Sequence, residues 1–148
     1  MSPRWPLIAL AVAALLPRCS EEGQHEVVVV FPGQALMRAT SRVTLVAYAT
    51  DGTDPCAELT RGRGAQKLSR ALERAASFPF TAGLEVGSLD DGSYALVATA
   101  LNANTTPRPF LIGCTHAEIA AGGGSRDHRI TLEQFRGCCG GGAGCEAR

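Results

Sequence analysis

The chain has 148 residues, a length for one domain, and its 14 Lys+Arg balance 14 Asp+Glu. The neutrality excludes a broad basic face for nucleic acid. An apolar content of 45% excludes a disordered acidic tail.

Residues 1–19 read as an export signal. Arg4 gives the positive start, and Leu7 to Leu16 is an unbroken apolar run. Spanning a bilayer takes about 20 apolar residues, so this run is too short to be a transmembrane helix. Pro17 ends it, and Cys19 follows Leu16 by three positions. This ending resembles the lipobox of bacterial lipoproteins. Leu16 and Ser20 match that pattern and Arg18 departs from it. The resemblance implies cleavage before Cys19, lipidation of Cys19 and a membrane anchor, in an exported protein that is outer-membrane-anchored or periplasmic. Removing Arg4 and Arg18 leaves 12 basic against 14 acidic groups, a formal charge of −2. Residues 20–24 then form a short polar tether. Thirteen of the 14 basic residues are Arg, which with the abundant Ala and Gly suggests a GC-rich bacterial source.

Residues 25–135 read as a single Greek-key-type β-sandwich. His25–Phe31 holds four consecutive valines, the pattern of a strand buried on both faces or of a strong edge strand. Pro32 and Gly33 stop it. Arg42–Thr50 alternates, with Val43, Leu45, Ala47 and Ala49 on one face. Asp51-Gly52 is a turn pair. Ala65–Ala76 fits a helical face at 65, 68, 71, 72, 75 and 76, and also alternates Leu68, Arg70, Leu72, Arg74 as a strand would. Its composition favours a short helix. Gly83–Leu89 is a short strand, Asp90-Asp91-Gly92 a turn, and Ser93–Leu101 the clearest strand, with Tyr94, Leu96, Ala98 and Ala100 together. Asn102–Pro109 is a polar loop. Phe110–Cys114 and Ala117–Ala120 are two further short strands, Gly122 to Gly124 a turn, and Arg129–Phe135 a last alternating segment. Short strands separated by Gly-rich turns indicate a sandwich rather than an α/β fold.

The stretch Leu89-Asp90-Asp91-Gly92-Ser93-Tyr94-Ala95-Leu96 is similar to the Leu-x-x-Gly-x-Tyr-x-Leu/Val hairpin of transthyretin-like and carboxypeptidase-regulatory-like (Ig-like) β-sandwiches. The resemblance implies that Gly92 makes the turn and that Tyr94 or its neighbour packs between the sheets. Such domains often serve bacterial surface proteins without activity of their own.

The six cysteines stand at 19, 56, 114, 138, 139 and 145. With all six in play, fifteen pairings exist. Position favours a Cys56–Cys114 disulfide, closing a loop of about 58 residues, in an oxidising compartment. Residues 136–148 are a Cys/Gly-rich tail with too few apolar side chains to add to a core. Cys138, Cys139 and Cys145 would need a fourth ligand, such as His116 or His128, to close a zinc site. Catalytic patterns are sparse. No Gly-x-Ser-x-Gly elbow appears, Gly62-Arg63-Gly64 is no Walker loop, Asp51, Asp54, Asp90 and Asp91 are explained by turns, and Asn104-Thr105-Thr106 reads as loop.

The expectation is therefore a non-catalytic envelope lipoprotein with no catalytic residues, cofactor or metal site. Its partners would be the membrane, through Cys19, and an envelope protein or carbohydrate held by the loops Asp51–Cys56 and Asn102–Pro109. The alternative is a small envelope metal-binding or thiol-redox protein using the tail cysteines. His116, His128 and those cysteines meeting at one point would favour it.

Overall fold

A computed structural model describes residues 25–77, 84–87, 89–120 and 126–135. The expected export signal with Cys19, the expected tether, the expected turn at 122–124 and the tail with Cys138, Cys139 and Cys145 lie outside the described residues. The chain is mainly β, in two sheets. The strands are β1 (His25–Val30), β2 (Thr40–Thr50), β3 (Ser69–Ser77), β4 (Leu84–Gly87), β5 (Gly92–Asn102), β6 (Pro109–Ile119), β7 (Arg126–Thr131) and β8 (Glu133–Gln134). Two short helices, α1 (Gln34–Arg38) and α2 (Cys56–Leu59), and a 3-10 turn at Ala65–Lys67 complete it.

The smaller sheet has the order β4-β1-β7 and the larger β3-β2-β5-β6-β8. The chain passes repeatedly between the layers, as in Greek-key sandwiches. β1 runs parallel to β7 (Val27↔His128, Val29↔Ile130), while the larger sheet is antiparallel throughout. The alternations read from the sequence at β2 and β5 face inward. Val43, Leu45, Ala47, Leu96, Ala98 and Ala100 are buried against Val27, Val86, Ile130 and Leu132. Tyr94 is 6% exposed in this core, and Gly92 has φ +154° at the start of β5.

The valine run is neither an edge strand nor buried on both sides. β1 is the central strand of the smaller sheet, and Val28 and Val30 on its outer face are only half-buried.

The expected helix over 65–76 is corrected: only Ala65–Lys67 makes a helical turn, and Ser69–Ser77 is a strand. Eight residues of β2, from Arg42 to Ala49, pair with β3. Without it β2 would be an open edge, so ladder hydrogen bonds outweigh the intrinsic helix preference of Ala, Leu, Glu and Arg. The edge role fits the charges, because exposed Arg70, Glu73 and Arg74 discourage further strand addition.

The two short strands expected at 110–114 and 117–120 are one strand, β6, unbroken through Thr115 and His116. The expected last strand at 129–135 is two pieces. Leu132 donates its N–H to the Val30 carbonyl at 2.8 Å. The chain then changes layers, and β8 pairs with β6 (Leu111↔Gln134, Ile112↔Glu133). β6 and β7 approach closely at Gly113: a Cβ there would stand 2.4 Å from the Thr131 carbonyl oxygen.

Candidate functional site

The outer face of the larger sheet carries a second, smaller core. Between β2 and β3 the chain leaves the sheet and returns across that face as a strap, residues 51–68. The departure is set by side-chain turns. The Thr53 N–H and Oγ1 donate to Asp51 Oδ1 at 3.2 and 2.6 Å, and the Cys56 N–H donates to Asp54 Oδ1 at 2.9 Å. The hydrogen bonds from Thr53 hold the Asp51 carboxyl below the usual carboxylate range. Both aspartates are thus turn residues.

The strap then folds as α2 and bends through Gly62 (φ +72°) and Gly64 (φ +80°). Leu59, Ala65 and Leu68 rest on Tyr48, Ala95, Val97 and Ile112, with Phe135 arriving from β8. Burying a side chain such as Leu59 stabilises by about 1.5–3 kcal/mol. A disulfide from Cys56 to Cys114 on β6 fixes the strap, with Cα atoms 5.4 Å apart and a separation of 58 residues. This cover is why β5 is buried on both faces.

Beyond the strap, β-pairing sets out a polar row. Thr50 pairs with Ser93, and Ser93 with Glu118; Ala95 pairs with His116. Cys114, His116 and Glu118 are spaced by two along β6 and so share its outer face. The Ser93 hydroxyl donates to Glu118 Oε1. His116 Nε2 lies 3.7 Å from the same oxygen. Among the described residues, His116 Nε2 and Thr50 Oγ1 are buried without a hydrogen-bond partner. Serine, histidine and glutamate stand together, with the hydroxyl on the carboxylate rather than on the imidazole. Acyl-transfer chemistry needs the imidazole on the hydroxyl and the carboxylate behind the imidazole.

His128 lies elsewhere. It shares the inner face of the smaller sheet with His25; their rings are 5.4 Å apart between centroids, with His128 Nε2 3.3 Å from His25 Nδ1. His116 and His128 therefore occupy different layers and do not meet. Among the described residues no group of three or more His, Cys, Asp or Glu could hold a metal ion. The two loops singled out from sequence do not converge either. Thr50, before Asp51–Cys56, pairs with Ser93 at the start of β5, whereas Asn102 pairs with Thr40 at its end. An 11-residue strand separates them by about 33 Å. The 103–108 loop is closed on itself, the Asn102 N–H donating to the Arg108 carbonyl and the Arg108 N–H to Asn102 Oδ1, both at 3.0 Å.

A hollow of about 530 Å³ opens within the strap, lined by Pro55, Leu59, Leu68, Glu58, Arg63 and Lys67 among others. Glu58 accepts a hydrogen bond from Arg61 at 3.1 Å. Among the described residues no helix is long and apolar enough to cross a membrane.

The sequence paired Cys56 with Cys114, as the structure does, but singled out His116 only as a possible fourth ligand for the tail cysteines. It passed over Thr50, Ser93 and Glu118, whose proximity depends on strand register; the His116-x-Glu118 spacing was the only local signal. The chain matches no protein-family model, no curated protein and no solved structure.

Proposed function

We propose that the protein is a non-catalytic β-sandwich module of the bacterial cell envelope, anchored through lipid on Cys19, with the strap as its partner-binding surface. The Cys56–Cys114 bond carries this reading. Structural disulfides persist in exported proteins and are rare in a reducing cytosol, and the bond joins two cysteines that follow an apolar, lipobox-like leader in the sequence. The transthyretin-like or Ig-like resemblance stays part of this proposal; Tyr94 is buried in the core and Gly92 opens β5 at positive φ, as in β-sandwiches generally.

The strap suits a partner better than the 103–108 loop does. It is held by a covalent bond and by its own apolar contacts, and a rigid surface loses less freedom on binding. Its hollow combines apolar Pro55, Leu59 and Leu68 with the cations Arg63 and Lys67, a mixture fitted to an envelope protein or an acidic carbohydrate.

The test is metabolic labelling with palmitate in a bacterial host. The wild-type chain takes up label, and globomycin, which blocks lipoprotein signal processing, causes the uncleaved form to accumulate. Cys19→Ser takes up none and leaves the membrane fraction. Unlabelled wild-type protein, or labelling that persists in Cys19→Ser, would overturn the anchor.

A further inference from the structure

Beyond the envelope module, the geometry points to a transition-metal site formed by His25 and His128. The two residues are 103 positions apart and are brought together by the parallel pairing of β1 with β7. Both occupy inner-face positions of those strands, where their neighbours are Val27, Val29 and Ile130. His25 is only 5% exposed. Imidazoles on an apolar inner face are a costly choice unless their polar atoms are engaged. Here they are engaged with each other, at a particular separation. Two nitrogens each about 2.0–2.1 Å from one tetrahedral metal ion stand about 3.3 Å apart. The His128 Nε2 to His25 Nδ1 distance is 3.3 Å. In the metal-free pair that distance allows one N–H to lie between the two nitrogens, in whichever tautomer supplies it. Metal binding needs that proton on the far nitrogen of its ring, leaving both facing nitrogens as lone-pair donors.

Two imidazoles select a borderline cation such as Zn²⁺, Ni²⁺ or Cu²⁺ over Mg²⁺ or Ca²⁺, which favour oxygen ligands. Water would complete the coordination shell, as at open metal sites. A bound ion would clip β1 to β7 at the beginning of both strands.

The full chain carries cysteines that also bind such ions, so its free thiols are first blocked with iodoacetamide. Zinc chloride is then titrated while the imidazole signals of the three histidines are followed by NMR. The expected result is that His25 and His128 shift together and saturate at one equivalent, with His116 unchanged. His128→Gln should weaken the binding at least roughly tenfold, a loss of about 1.4 kcal/mol. Imidazole signals that stay fixed up to millimolar zinc, a shift of His116 alone, or undiminished affinity in a folded His128→Gln would overturn the site. The wild-type titration decides the matter even if the variant fails to fold.

Discussion

Among the described glycines, Gly113 is the one at which an added methyl group would meet the nearest atoms. The added Cβ would stand 2.4 Å from the Thr131 carbonyl oxygen, 2.7 Å from Ile130 Cγ2 and 3.0 Å from the Thr131 carbonyl carbon. Two of these three atoms belong to the backbone of β7 and cannot rotate away. Restoring ordinary contact to the oxygen means parting the layers by about 1 Å, and a gap of that size forfeits up to half of each van der Waals contact across it. Overpacking a core costs about 1–3 kcal/mol, and a backbone obstruction belongs at or above the upper end. At about 4 °C per kcal/mol, the melting temperature should fall by about 12 °C or more. The assay is urea unfolding with a parallel thermal melt, both with the disulfide intact. A lower urea midpoint at unchanged m-value is expected, since the same surface is exposed on unfolding. Gly33 is the internal control. Its φ of 176° is extended backbone and nothing lies within 4 Å of its Cβ position, so Gly33→Ala should be neutral or slightly stabilising. A Gly113→Ala protein within about 0.5 kcal/mol of wild type would refute the close approach of β6 and β7.

Replacing Cys56 and Cys114 together by serine should lower stability by up to about 4 kcal/mol, the chain-entropy value for this loop, and raise protease cleavage between 51 and 68 before the sheets unfold. Equal alkylation of both wild-type cysteines without reductant would contradict the bond. Leu59→Ala should destabilise by about 2 kcal/mol or more in the same unfolding assay, because it removes the deepest anchor of the strap. Gly62→Ala should also destabilise, as the new Cβ would meet Phe135 Cζ at 3.0 Å on a left-handed backbone (φ +72°). Burial raises the Tyr94 phenol above its ordinary range, with the charges of Asp90 and Asp91 adding to the shift. Its stabilisation is therefore complete below the unfolded tyrosine pKa, about 10, and is lost as pH rises through the higher folded value. Tyr94→Phe should lose the hydrogen bond to the Asp90 carbonyl, about 0.5–1.5 kcal/mol at neutral pH. It should also flatten the alkaline fall in stability measured by urea titration from pH 8 to 11.

The inward faces of two central strands were legible by period-two counting, as Val43, Leu45, Ala47 and Ala49 on β2 and Tyr94 to Ala100 on β5. The strap's cover of the other face was not, although it buries Tyr48, Ala95 and Val97 as well. Ser69–Ser77 was ambiguous because its edge position leaves most side chains in water, where composition mimics a surface helix. The layer change at Leu132 left no trace, since Ile130 and Leu132 are both buried whether or not the strand continues. α1 and α2 were invisible because five and four residues are too few to show a helical period. The disulfide was legible from the position of its cysteines at the ends of expected strands. The polar row was not, because Ser93 and Glu118 are 25 residues apart and meet only through the β5–β6 register. His25 and His128 depend in the same way on a parallel pairing that no short-range pattern announces.

The most direct test of the envelope reading is the intact mass and N-terminal peptide of the protein extracted from bacterial membranes under non-reducing conditions. The expected product is a chain that begins at a diacylglycerol-modified Cys19 and carries oxidised Cys56–Cys114. A chain recovered from the cytosol that still begins at Met1 and has free thiols at positions 56 and 114 would contradict it.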